Sequence, residues 1–262
     1  MKILLTGHCG FIGSALFRRL EKSGHTVYGI DIEAGWDRDK FYSKQDLLNC
    51  EFPTDDFDLV IHLAGKSGVR ESIKNPTAYW MNNVEASRRL FERYADTRIL
   101  YASSSSAYEP DLNPYAASKF IMEELAERYP NTVGMRFHTV YSESCNRENM
   151  FFHKLLNNKL EYVTRHYRDF VHLEDVLDAI EILIKKDHVK GVIDIGTGNP
   201  VRIQDLAPEL PVRLNTPGER EFTCANIEKM KALGFKPKYT VEKFLTNNNL
   251  GNIINLFNGE TV

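Results

Sequence analysis

Tyr115 and Lys119 lie four residues apart in the run PYAASKF, a spacing that puts both on one face of a helix. A lysine ammonium beside a phenol favours the phenolate and lowers the tyrosine pKa from its usual value of about 10. A phenolate tuned in this way can take the proton of an alcohol while hydride leaves the same carbon. Four serines, Ser103 to Ser106, precede the pair. A serine hydroxyl there can hold the oxygen on which charge develops. Taken singly, a Y-x-x-x-K pair is usually helix surface and a serine run is usually a loop.

A second group of residues suits a phosphate. Gly7, Gly10 and Gly13 separate the apolar run at Ile3 from a helix-like stretch. The first glycine allows a tight turn, the second lets backbone approach a pyrophosphate, and the third lets helix and strand pack closely. Amides at the helix start then face the anion, where the helix dipole favours negative charge. The spacing is G-x-x-G-x-x-G, not the commoner G-x-G-x-x-G. Asp31 follows eighteen residues after Gly13, at the end of a second strand-like run. A carboxylate there accepts hydrogen bonds from a ribose hydroxyl and repels a 2′-phosphate, which favours NAD over NADP.

Positioning these groups calls for strands that alternate with helices. Strands are expected at Ile3–Thr6, Thr26–Ile30, Asp58–Gly65, Arg98–Ser105, Val133–Phe137 and Val192–Ile195. Helices are expected at Phe11–Lys22, Pro76–Tyr94, Pro114–Arg128 and Leu173–Lys185. Apolar strands alternating with helices imply an α/β fold with a Rossmann-type doubly wound parallel sheet covered on both faces. Beyond Gly198 the prolines multiply and strands are less clear, which suggests a smaller C-terminal substrate-binding lobe. The expected division gives residues 1–140 with 165–196 to the dinucleotide-binding domain, and 141–164 with 197–262 to the lobe. A chain of 262 residues, 42% hydrophobic, is large enough for such a core. A net charge of -3 gives no electrostatic case for nucleic acid. No apolar run approaches a membrane span, and Met1-Lys2 with three apolar residues is no signal peptide. The four cysteines are far apart, as in a reducing compartment, so the cytoplasm is the expected location. His8, His62, His138, His153, His166 and His172 show no metal spacing, so no metal is expected. Cys9 reads only as a small side chain in the glycine loop.

Together these motifs resemble an extended short-chain dehydrogenase/reductase of the NAD-dependent sugar-nucleotide epimerase/dehydratase group. TGHCGFIG, with Gly7, Gly10, Phe11, Ile12 and Gly13, resembles that family's T-G-x-x-G-F-I-G loop. Asp46-Leu47 resembles the acidic pair at the adenine. The run HLAGKSGVRESIKNP, with Leu63 and Ala64, resembles the segment after the fourth strand. Asn83 resembles the asparagine that supports the cofactor, and YAASK the catalytic helix. MRFHTVY, RDFVHLEDV, IGTGNP and the segment from Pro217 to Lys238 are similar to later landmarks, so the resemblance spans nearly the whole chain. It implies that Tyr115 is the base, that Lys119 tunes it and holds the nicotinamide ribose, and that Ser104 is the catalytic Ser/Thr. Neighbouring serines leave room for a shift of one. Arg168 resembles the arginine that binds a nucleotide-sugar diphosphate, a task its guanidinium suits; the alternative is an ion pair with Asp169 or Glu174.

The same resemblance narrows the reaction. Dehydratases and decarboxylases of the group carry a carboxylate just after the catalytic Ser/Thr, where this chain has Ser105 and Ser106. Neither can act as a carboxyl acid or base. That leaves 4-epimerisation, in which NAD oxidises C4, the 4-keto sugar turns over, and hydride returns to the other face. SGVRESIKNP is similar to a segment of UDP-glucuronate 4-epimerases, and Thr139 and Arg147 resemble residues that hold the uronate carboxylate there. The expected substrate is UDP-glucuronate or another UDP-hexose, and the expected assembly is a homodimer. Alternatives are an NAD(H)-dependent nucleotide-sugar reductase or dehydrogenase, and a non-catalytic dinucleotide-binding protein. The chain departs from the pattern in a shortened Tyr108–Tyr115 loop, in Ser142-Glu143 for a Gly-Pro, and in Thr216 for an arginine or glutamine.

Overall fold

The structure is a computed structural model that describes residues 1–33, 42–143, 148, 150–248 and 250. In chain order the elements are β1 (Lys2–Thr6), α1 (Phe11–Lys22), β2 (Thr26–Asp31), β3 (Tyr42–Lys44), β4 (Leu59–His62), α2 (Val69–Lys74) and α3 (Pro76–Tyr79). A π-helical stretch, Trp80–Glu85, leads into α4 (Ala86–Arg93), β5 (Ile99–Ser104), α5 (Pro114–Ala126) and β6 (Thr132–Phe137). Then come β7 (Thr139–Tyr141), α6 (Phe151–Leu156), β8 (Tyr167–His172), α7 (Leu173–Ile184), β9 (Gly191–Ile195), β10 (Pro200–Arg202), α8 (Glu228–Ala232) and α9 (Val241–Asn247).

Seven strands form one sheet in the order β3-β2-β1-β4-β5-β6-β9, parallel from β3 to β5. The doubly wound α/β architecture expected from the strand–helix alternation is therefore present. The order reverses between β1 and β4, and ligands of open parallel sheets bind at such a switch point. Ile3, Leu4, Leu5, Leu59, Val60 and Ile61 are fully buried, as strands covered on both faces must be. Leu90 and Phe91 of α4 and Met122 and Ala126 of α5 pack against this sheet.

Two compact units divide the described chain. One comprises Met1–Arg136 with Leu183–Ile193. The other comprises Phe137–Ile182 with the chain from Asp194 onward. In the first, the Arg98 guanidinium donates to the carbonyls of Leu183, Lys186, Asp187 and Val189, closing the end of α7. In the second, Tyr141, Phe152, Phe170 and Phe244 build an aromatic core. A small sheet β10-β8-β7 crosses this unit. Its hub is Asp169, fully buried, whose carboxylate accepts from Thr197 N (2.8 Å), Thr197 Oγ1 (2.7 Å), Gly198 N (2.8 Å) and Ala225 N (2.9 Å).

One expectation changes, and one strand was not expected. The helix expected over Pro76–Tyr94 is three pieces, because the chain widens to a π-helix at Trp80–Glu85 and turns Asn83 fully inward. β8 is a strand that carries no alternating pattern, because the buried side chain at its third position is the carboxylate of Asp169. Among the described residues no helix is long and apolar enough to cross a membrane.

Candidate active site

The glycine loop joins β1 to α1. Gly7 has φ +74°, and a Cβ on it would lie 2.5 Å from Ala64 N. A Cβ on Gly13 would lie 2.0 Å from Gly7 O. Glycine is thus required at both places by backbone contact. Gly10 is the N-cap of α1 and extended, and no side chain caps the helix or places an acid in its first turn. The first-turn amides, which include those of Phe11, Ile12 and Gly13, have no acceptor within the helix, an arrangement that suits an anion. Asp31 closes β2, where its Oδ2 accepts from Cys9 N at 2.9 Å and its Oδ1 from Glu33 N at 3.1 Å. The loop thus has the bare backbone, the uncapped helix start and the carboxylate that suit a dinucleotide.

Further along, Asp46 is exposed, whereas the Leu47 side chain is buried in the sheet core. Leu63 and Ala64 follow β4, and Ala64 N donates to Thr6 Oγ1 at 3.3 Å. Asn83 splints the next turn: its Oδ1 accepts from Lys66 N at 2.7 Å, and its Nδ2 donates to Lys66 O at 3.0 Å and Ser118 Oγ at 2.9 Å. The π-helical widening is what delivers this side chain to α5.

The α5 helix starts at Pro114 with Asn113 as its cap, accepting from Ala116 N at 2.8 Å. Tyr115 lies in its first turn and hydrogen-bonds the Ser104 hydroxyl, which also accepts from Ser106 N at 3.1 Å. Ser103, on the opposite face of β5, donates instead to Glu123 Oε1. Of the two neighbours, Ser104 interacts with Tyr115 and Ser103 with Glu123. Tyr79 stands edge-on to the Tyr115 ring, centroids 6.0 Å apart, with its hydroxyl donating to Ser67 O.

Lys119 Nζ, buried, donates to Ala102 O at 2.7 Å. Burial pulls its pKa down to about 8, with Glu123 opposing. Tyr115 is shifted up by burial, with the Ser104 hydrogen bond opposing. The lowered phenol expected from the lysine is therefore not found in this structure. The ammonium is engaged by a backbone carbonyl, and loss of hydration outweighs the hydrogen bond. Glu123 was not singled out in the sequence. It sits four residues beyond Lys119 and is gripped by Arg136, Nε to Oε1 at 2.8 Å and Nη2 to Oε2 at 2.5 Å. The i, i+4 spacing was its only signal.

In the second unit, Thr139 opens β7 opposite Phe170. Arg147 lies outside the described residues. Arg168, on β8, is 15% exposed and pairs with neither Asp169 nor Glu174. Its Nη2 donates to His166 Nδ1 at 3.1 Å and lies 3.8 Å from Glu219 Oε2, and Thr216 Oγ1 meets His166 Nε2 at 3.1 Å. Burial lowers the guanidinium pKa while Glu219 raises it. His166 and Glu219 were missed in the sequence because they converge on Arg168 only through folding, from 2 and 51 positions away.

Comparison with known proteins follows the same lines. Protein CapI of Staphylococcus aureus is 30% identical over 319 aligned positions, covering 92% of this chain and 95% of that protein. The structure of UDP-glucuronic acid 4-epimerase from Bacillus cereus, in complex with UDP-glucuronic acid and NAD, superposes with a TM-score of 0.82 at 27% identity, covering 97% of this chain and 100% of that one. MoeE5 in complex with UDP-glucuronic acid and NAD gives 0.79 at 28% identity, covering 92% and 95%. The sequence pattern of the NAD dependent epimerase/dehydratase family matches residues 3–196, well over half of the chain, and the chain belongs to that family.

Proposed function

We propose that this chain is an NAD-dependent 4-epimerase of a nucleotide sugar, with UDP-glucuronate or a UDP-hexose as substrate. The observation that carries this reading is the Ser104–Tyr115 hydrogen bond beside a buried Lys119, with serines and no carboxylate immediately after Ser104. The names of the similar proteins support the uronate branch.

Gly7, Gly10, Phe11, Ile12 and Gly13 hold the cofactor's pyrophosphate through backbone amides. Asp31 accepts from its adenosine ribose, and Asp46-Leu47 and Leu63-Ala64 flank the adenine and the chain leading to the nicotinamide. Asn83 keeps the Lys66 turn in place, and Lys119 binds the nicotinamide ribose. When bound, NAD supplies the acceptor and donor of hydride for the sugar carbon. Tyr115 takes the proton of the sugar hydroxyl in one direction and returns it in the other. Burial keeps Tyr115 protonated in the free protein, so the phenol must first release its own proton to solvent before the phenolate can accept that of the sugar hydroxyl. Ser104 holds the sugar oxygen as its charge changes. Lys119, cationic below about pH 8, favours the phenolate as it forms. Arg168 binds the diphosphate, and Thr139 with Arg147 binds the sugar's C5 substituent. The chain works in the cytoplasm as a homodimer. Exposed Trp80 and Phe120, at 50% and 36%, offer apolar surface near the catalytic helix for the second copy.

The test is to incubate the protein with NAD and UDP-glucuronate, UDP-glucose or UDP-N-acetylglucosamine, and to follow the sugar C4 configuration by proton NMR. Interconversion without net NADH is expected, as is a loss of at least about 100-fold in Tyr115→Phe. Stoichiometric NADH, or full turnover in Tyr115→Phe, overturns the reading.

A further inference from the structure

We propose that His8, Cys9 and Asp31 form a binding site for a thiophilic divalent cation of the zinc class inside the glycine loop, and that this cation competes with the dinucleotide for Asp31. The ligand atoms of the three side chains all lie within 4.8 Å of one another. His8 Nε2 is 3.7 Å from Cys9 Sγ. A tetrahedral zinc with bonds of about 2.0 Å to nitrogen and 2.3 Å to sulfur spaces two such donors about 3.6 Å apart. That edge of the site is already formed. The Asp31 carboxylate needs to close by about 1.5 Å at most, a side-chain rotation that lengthens its present bonds from Cys9 N and Glu33 N.

The His8 donor is held in place. The His8 ring is buried against the bare backbone of Gly29, where a Cβ would meet Nδ1 at 2.7 Å. The Phe17 ring lies on its other side, centroids 5.6 Å apart. This fixes Nε2 on the sulfur. Asp31 is aimed by the two backbone amides it accepts from, and each oxygen keeps a lone pair for a further partner. Cys9 and Asp31 are half-buried, neither sealed in the core. One thiolate, one imidazole and one carboxylate suit zinc or cobalt and are poor ligands for magnesium or calcium. The histidine spacings in the sequence gave no hint of this. The third donor comes from the next strand of the sheet, 22 residues beyond Cys9.

A cation on the Asp31 carboxylate takes a lone pair, and the space in front of it, that a ribose hydroxyl would use. Occupancy by one ligand therefore excludes the other. The competition rests on the cofactor reading above, whereas the cation's own binding does not.

The test uses the full chain, freed of nucleotide, shown to be folded by circular dichroism, and titrated with Co2+ in oxygen-free buffer. The readout is the near-ultraviolet charge-transfer band of a cobalt-bound thiolate, with displacement by Zn2+. Calorimetry on the metal-free chain measures NAD binding separately. The band is expected in the wild type and in Cys224→Ala, absent in Cys9→Ala, and formed with at least tenfold weaker affinity in His8→Asn. Saturating NAD is expected to weaken apparent Co2+ affinity at least tenfold. No band, or a band that survives Cys9→Ala, overturns the site. A band indifferent to NAD in a chain that binds NAD by calorimetry overturns the competition. A Cys9-dependent band in a chain that fails to bind NAD upholds the cation site and refutes the cofactor reading instead.

Discussion

Two adjacent hydroxyls at the end of β5 have opposite duties because side chains alternate across a strand. Ser104 meets Tyr115, and Ser103 meets the Glu123–Arg136 pair. Ser104→Ala should therefore lose about 100-fold in kcat with an almost unchanged urea midpoint. Ser103→Ala should keep kcat within about threefold. It removes a donor to a buried carboxylate, at a cost of about 1–3 kcal/mol in stability. Steady-state kinetics and urea unfolding of the two variants check this, and the opposite assignment would reverse both results. The sequence showed four serines and could not say which faced the tyrosine, because face is set by strand register and not by composition. The direction of the Tyr115 shift was equally hidden. The Y-x-x-x-K spacing says that two groups share a helix face, but not that both lose their hydration there.

At the scale of elements, the glycine loop and α5 were legible because each announces itself locally. Gly10 and Asn113 are caps, Pro114 sits at the first helical position, and apolar β1 precedes the loop. The π-helical stretch was not legible, since Pro76 to Tyr94 has an ordinary helical pattern. Its widening is decided by tertiary demand: Asn83 must reach both Lys66 and Ser118. Asn83→Ala removes both hydrogen bonds to the Lys66 backbone and one of the two at the buried Ser118 hydroxyl, which keeps its bond to Tyr115 O. It should cost about 2–4 kcal/mol and lower the melting temperature by several degrees. Limited proteolysis should cut faster within residues 65–68, because the turn then opens locally. An unchanged melting temperature together with an unchanged cleavage rate would show that the splint does not hold the turn. β8 illustrates the same limit. RDFVHLEDV stood out as a motif, but its strand depends on Asp169 finding four donors that lie 28 to 56 residues away.

At the scale of the molecule, acid should weaken the fold through His62. Its ring is buried between Thr6 Oγ1 at 2.7 Å and Ser87 Oγ at 2.9 Å. Burial, with Lys119 adding, pushes its pKa from 6.5 to about 3. Above about pH 6.5 the ring is neutral in both folded and unfolded chains. Between 6.5 and 3 the unfolded chain takes a proton that the folded one refuses, so stability falls with pH, by about 2 kcal/mol at pH 5 from this group. Urea midpoints at pH 7 and pH 5 should differ by that much less in His62→Gln than in the wild type. Equal slopes would mean that His62 gains its proton without unfolding.

The chain leaves the first unit after Arg136 and returns to it only at Leu183. The sheet's final strand, β9, therefore pairs with β6 across more than fifty intervening residues. On a ribosome, β6 must wait with an open edge while the whole of that excursion is synthesised. An edge left open for so long is a template for strands of other nascent chains. Stalled or truncated products ending before Gly191 should be the species that aggregate, and late closure of this one ladder should set the pace of folding.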